Sequence, residues 1–134
     1  MHTRFSDNTD EQLEANVAAY RRLLQTIRIL RAEGGCPWDR EQTPLSMRRD
    51  LIEETFEAVD AITAEDALHA REELGDVLLN ASMIAYMYQQ SGDFSLAECF
   101  NELVEKLIRR HPHVFPQSEG QTAVEAPVQN ADEV

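Results

Sequence analysis

Apolar residues return at three- and four-residue steps through four stretches of this chain, and no alternation of period two lasts long enough for a strand. In the first stretch Leu13, Val17, Tyr20, Leu24, Ile27 and Leu30 make one stripe. Asp10 is expected to cap this helix and Gly34-Gly35 to end it near Glu33. Cys36 to Gln42 reads as a loop. Thr43-Pro44 then predicts a second helix running to about Ile62, with Leu45, Leu51, Ile52, Phe56, Val59 and Ile62 as its apolar positions. Thr63 with Asp66 resembles a capping box for a third helix, which extends to about Gln90 and is ended by Gly92. Ser95 with Glu98 forms a second box, opening a fourth helix through Leu96, Phe100, Leu103, Val104, Leu107 and Ile108 that Pro112 stops. The pattern predicts an all-α, four-helix-bundle-like fold with short connections and antiparallel neighbours.

A chain of 134 residues is long enough for one core. The expected organisation is a flexible N-terminus over 1–9, a helical domain over 10–115, and an acidic tail over 116–134. That tail is poor in large apolar residues and expected to be disordered. The balance of 25 acidic against 12 basic side chains, a formal charge of −13, argues against a nucleic-acid polymer or an anionic membrane as partner. It leaves room for a small phosphate-bearing substrate, because bound cations reverse the local sign. No apolar run approaches the roughly 20 residues that span a bilayer, and the first ten residues lack the apolar centre of a signal peptide. Cys36 and Cys99 form no C-x-x-C pair and read as reduced thiols. The expectation is a cytoplasmic protein. Met47, Met83 and Met87 read as core filler.

Two acidic pairs stand out, Glu54 with Glu57 on the second helix and Glu73 with Asp76 on the third. Side chains three apart diverge by about 60° around a helix axis, so each pair shares a face and repels itself. Two readings stand: a solvated acidic face, or a divalent cation held between the helices. Glu11 with Glu14 and Glu102 with Glu105 repeat the spacing and are given no chemistry. What distinguishes the first two pairs is that a single helix-turn-helix lets them face each other. All-carboxylate ligands suit Mg²⁺, with Mn²⁺ as a substitute, where zinc would call for His or Cys. The apolar neighbours Phe56, Val59, Leu74 and Val77 place the acids at the border of the core. Glu53 lies four residues before Glu57 and is a candidate general base for activating water; its alternative is a solvent-facing role. Asn80, one turn beyond Asp76, either hydrogen-bonds a substrate or satisfies a buried backbone group.

Four ordered strings carry a resemblance. They are Gly35-Cys36-Pro37-Trp38-Asp39-Arg40-Glu41-Gln42-Thr43, Leu51-Ile52-Glu53-Glu54-Thr55-Phe56-Glu57, Glu72-Glu73-Leu74-Gly75-Asp76-Val77-Leu78, and Glu105 through Arg109-Arg110-His111-Pro112-His113-Val114-Phe115. Together the chain resembles the MazG family of nucleoside triphosphate pyrophosphohydrolases, within the wider all-α NTP pyrophosphatase superfamily. The resemblance implies a homodimer and Mg²⁺-dependent cleavage of an NTP or dNTP to the monophosphate and pyrophosphate. It implies Glu54, Glu57, Glu73 and Asp76 as metal ligands and Glu53 as the extra acidic position of the motif. Lys106, Arg109 and Arg110 then suit phosphate binding, against the plainer role of cations at a helix C-terminus. Trp38, in the loop beside Pro37, either stacks on a base or plugs the end of the bundle. His111 and His113 read as turn-stabilising. Two other functions stand beside the main one: a non-catalytic helical dimerisation or binding module, and a narrow pyrophosphatase for dUTP, dCTP or phosphoribosyl-ATP. The family often carries two such domains where one is seen here, and Asn130 to Val134 reads as the start of a further, truncated helix.

Overall fold

The computed structural model describes residues 9–116, so the expected tail beyond Pro116, the helix start at Asn130, and all but Thr9 of the expected flexible N-terminus lie outside the described residues. Five helices follow one another: α1 (Asp10–Arg31), α2 (Pro37–Glu41), α3 (Arg48–Thr63), α4 (Ala67–Gln90) and α5 (Leu96–Arg109). No strand occurs among the described residues, as the periodicity predicts. The addition is α2, a single turn where a loop is expected. Pro37 occupies its first turn, where a missing N–H is harmless.

Three helix starts differ from the sequence expectation, each for a local reason. Thr9, not Asp10, caps α1: its hydroxyl accepts from the Gln12 N–H at 3.1 Å, and the Gln12 side chain accepts from the Thr9 N–H at 2.9 Å. Thr43 and Ser46 exchange the same pair of bonds, at 2.9 and 3.0 Å. They close a separate turn and delay α3 to Arg48. Asp66 caps α4 by accepting from the His69 N–H at 3.1 Å, while Thr63 is the last residue of α3. Between them the chain turns through Glu65 at φ 54°, so that the Asp66 N–H reaches the Ala61 carbonyl at 3.1 Å and the Glu65 N–H the Ile62 carbonyl at 2.9 Å. This is the paired C-terminal closure usually given to Gly. The Ser95–Glu98 box forms as expected.

The α3/α4 pair is the most extensive packing in the molecule; α1 and α5 lie against α4, and α2 lies against α1. A small core of Ile27, Met47, Met83 and Met87 joins α1 to α4, with Leu23, Leu30 and Ile84 packed on it. The methionines are core, as the sequence suggests. Tyr20 on α1 and Ser82 on α4 share a hydrogen bond of 2.6 Å.

The packing of α3 corrects the sequence reading. Its buried residues are Ala58 and Ala61, whereas Ile52, Phe56, Val59 and Ile62 are exposed, as is Leu74 on α4. On a helical wheel, Glu54, Glu57, Ala58 and Ala61 share one face and the large apolar residues take the opposite one. α3 therefore turns its small and acidic side toward α4 and its apolar side outward. The facing side of α4 carries Glu73, Asn80, Met83 and Met87, all buried. None of the helices described is long and apolar enough to cross a membrane.

Candidate active site

The polar seam between α3 and α4 brings together three of the four expected ligands. One carboxylate oxygen each from Glu54, Glu57 and Glu73 lies within 4.8 Å of the others. Ala58 and Ala61, both buried, share the helical face of Glu54 and Glu57. Asp76, half-buried one turn along α4, adds its charge to Glu54.

The electrostatics are those of an anionic cluster that His69 offsets at one end. Burial pushes the Glu54 carboxyl above its ordinary value, and the charges of Glu57, Asp76, Glu73 and Asp50 push it further. Burial likewise raises Glu73, followed by its hydrogen bond and repulsion with Glu57. His69 opposes that rise from 3.1 Å. Glu54 Oε2 and Glu73 Oε1 are buried and accept no hydrogen bond among the described residues. Buried acceptors without donors are uncommon and costly in a native fold. A hard divalent cation supplies what both oxygens lack, so the donor set fits Mg²⁺ or Mn²⁺.

The remaining candidates fall into two groups. Asn80 is buried beside the seam, donating from Nδ2 to the Asp76 carbonyl at 2.9 Å. Trp38 is 75% exposed on α2 and borders a cavity of about 200 Å³ that Asn80 also lines. Glu53 is exposed on α3 and is not one of the three converging carboxylates. Lys106, Arg109 and Arg110 are half-buried on and just after α5, whose backbone packs against α4 and not α3. Within one chain those cations are not brought to the acidic seam by helix packing. His111 donates from its ring to the Leu107 carbonyl at 2.5 Å, the turn-stabilising role expected of it.

Several residues escape the sequence reading. His69 meets Glu73, and its i, i+4 spacing is the signal that could have found it. Asp50 adds charge one turn before Glu54. Arg48 and Arg49 are a second basic pair, lining a surface cleft of about 530 Å³ at the start of α3. Arg31 donates to the Asp39 and Gln42 carbonyls and, at 2.6 Å, to Gln90 Oε1. It pins α2 between α1 and the end of α4, which no spacing in the sequence predicts.

The MazG nucleotide pyrophosphohydrolase domain matches residues 42–115. The chain belongs to this family. The matched span contains all four carboxylates of the two acidic pairs. MazG of Thermotoga maritima, a nucleoside triphosphate pyrophosphohydrolase/pyrophosphatase, is 43% identical over 101 residues, 75% of this chain and 40% of that one. The nucleoside triphosphate pyrophosphohydrolase of Escherichia coli strain K12 is 43% identical over 105 residues, 78% of this chain and 40% of that one. The chain thus spans two fifths of the length of these curated MazG relatives. A crystal structure of a MazG-related protein from Thermotoga maritima superposes with a TM-score of 0.63 at 27% identity, over 78% of this chain and 90% of that one.

Proposed function

We propose that this MazG domain is a Mg²⁺-dependent nucleoside triphosphate pyrophosphohydrolase, converting an NTP or dNTP and water to the monophosphate and pyrophosphate, and that it works as a cytoplasmic homodimer. The observation that carries the reading is the convergence of Glu54, Glu57 and Glu73, with two buried oxygens that have no donor among the described residues. The names of the relatives support the substrate class.

Glu54, Glu57, Glu73 and Asp76 would hold the cation. When bound, Mg²⁺ or Mn²⁺ neutralises triphosphate charge and polarises the phosphorus toward attack by water. The chain's own part is to place the carboxylates and to handle the proton. Glu53 is exposed one turn before Glu57 and open to water, which suits the base that accepts the proton of the attacking water. Attack at the α-phosphorus forms the new P–O bond and releases pyrophosphate. Lys106, Arg109 and Arg110 suit the triphosphate tail in a dimer, where a second copy can bring α5 to the seam.

The dimer is supported by the surface. Ile52, Phe56, Val59 and Ile62 on α3 and Phe100, Leu103, Val104 and Leu107 on α5 are exposed, and apolar helix faces left open in this way mark interaction surfaces.

The test is pyrophosphate release from a panel of NTPs and dNTPs with Mg²⁺, with Mn²⁺ and with EDTA. Turnover that needs the cation and vanishes in Asp76→Ala is expected. Absence of any turnover in a chain carrying the whole protein would end the proposal in favour of a non-catalytic helical module.

A further inference from the structure

Asn80 lies one turn past Asp76 on α4 and is 7% exposed. Its Nδ2 donates to the Asp76 carbonyl at 2.9 Å, which fixes the donor end of the amide and leaves Oδ1 as an acceptor. That oxygen is buried and accepts no hydrogen bond among the described residues. Asn80 lines the cavity of about 200 Å³ between α2 and α4, whose apolar lining comes from Met47, Leu79 and Met83. Asp39, Asp50 and Gln42 provide further polar lining, and the Gln42 amide is engaged, donating from Nε2 to the Trp38 carbonyl and accepting at Oε1 from the Ser46 hydroxyl. The cavity adjoins the acidic seam, because Asn80 holds the Asp76 carbonyl and Asp50 precedes Glu54 by one turn.

We propose that this cavity receives the base of the nucleotide, and that Asn80 Oδ1 is a specificity-determining acceptor favouring bases with an amino group over uracil and thymine. The inference rests on the pyrophosphohydrolase reading of the adjoining carboxylates and adds a substrate class to it. Sites for whole drug-sized ligands run to about 300–1,000 Å³. A space of about 200 Å³ takes one planar ring system, with sugar and phosphates left outside toward the seam. The methionines and Leu79 receive the ring faces. Oδ1 and the carboxylates receive N–H groups at the ring edge. A keto oxygen in the same place meets acceptors with no hydrogen between them, which is the repulsive half of specificity. Cytosine and uracil have the same ring size and differ at this edge, so they isolate the effect.

The test compares kcat/KM for CTP and UTP, and for dCTP and dUTP, with Mg²⁺ in the full chain. The cytosine nucleotides are expected to lead by about tenfold or more. Asn80→Leu is expected to bring the ratio close to one by loss on the cytosine side. Fluorescence of Trp38, the single tryptophan, gives a second readout. Titration with CMP and UMP without metal should show tighter CMP binding that Asn80→Leu removes. Equal turnover of CTP and UTP overturns the inference and leaves the pyrophosphohydrolase reading standing. An equal loss on both substrates in Asn80→Leu also overturns it, by showing that Asn80 only holds the α4 turn. If no nucleotide releases pyrophosphate, the functional reading falls, and equal binding of CMP and UMP then removes the base site as well.

Discussion

Glu54 on α3 faces Glu73 on α4, and each keeps a buried carboxylate oxygen that accepts no hydrogen bond among the described residues. The two belong to one anionic group, and Glu73 is among the charges that raise the Glu54 carboxyl. Without a cation this seam opposes the folding of the helix pair that carries it. With one, the same repulsion becomes binding strength.

Glu54→Gln therefore separates stability from activity. The neutral amide removes one of the converging charges, so the cation-free protein is expected to melt at a higher temperature than wild type. Mg²⁺-dependent pyrophosphate release should fall by about 100-fold or more, since loss of even an outer partner of a metal ligand costs roughly 10- to 100-fold. Calorimetry with EDTA and a pyrophosphate assay check the two halves. A lower melting temperature together with intact turnover would contradict both.

The pH dependence follows from the raised carboxyls of Glu54 and Glu73. Groups whose folded pKa lies above the unfolded one contribute stability that is full below the unfolded value and is lost as pH rises through the folded value. In cation-free buffer the melting temperature is thus expected to rise as pH falls from about 8 toward about 5. The gain should shrink in the Glu54→Gln, Glu73→Gln double variant, which separates these two groups from the overall charge of −13. An unchanged slope in the double variant would place the effect elsewhere.

Ala61 is 1% exposed and lies on the face of α3 that carries Glu54 and Glu57, where a small side chain leaves no room for a larger one. Ala61→Leu is expected to cost about 1–3 kcal/mol in denaturant unfolding through overpacking. Because the wedge also spreads the carboxylates, Mg²⁺ should stabilise this variant less than wild type. Equal stabilisation by Mg²⁺ would show that the seam tolerates widening.

Arg31 bonds the Asp39 and Gln42 carbonyls and Gln90. Arg31→Met keeps the aliphatic stem and removes the donors, at an expected cost of about 2 kcal/mol. Trp38, carried by the pinned helix, should then change its emission at denaturant concentrations below the global transition seen by circular dichroism. Coincident transitions would mean that α2 is held by other contacts.

Phe56 is 66% exposed on the outward face of α3. Light scattering is expected to give twice the 15.3 kDa chain mass, and Phe56→Glu is expected to raise the dimer dissociation constant by about tenfold or more. A monomeric wild type at high concentration would remove the dimer from the proposal.

Helix identity was legible because punctuation and periodicity agreed: the Ser95–Glu98 box and Gly92, at φ 80°, fall where the pattern puts them. Starts failed where a short hydroxyl side chain chose a local turn, as Thr43 and Ser46 did, or where a neighbour made the better cap, as Thr9 did. Of the candidate site, the spacing put Glu54 with Glu57 and Glu73 with Asp76, because helical geometry alone sets each pair on one face, and the fold brings Glu54, Glu57 and Glu73 together. It did not show which way α3 faces. Phe56 and Val59 look like core positions, and a single sequence cannot tell an inward apolar stripe from one turned outward. Nor can it show Arg31, whose role depends on carbonyls that only the folded chain brings near, whereas the i, i+4 spacing of His69 and Glu73 was there to be read.

The inverted orientation of α3 has an engineering consequence. Leucines at Glu73 and Asn80 would knit α3 to α4 with ordinary oil-like contacts and yield a hardier protein. They would also erase the chemistry proposed for it. Directed evolution of this scaffold under heat selection alone would thus drift toward an inert bundle, and a catalytic screen has to run beside it.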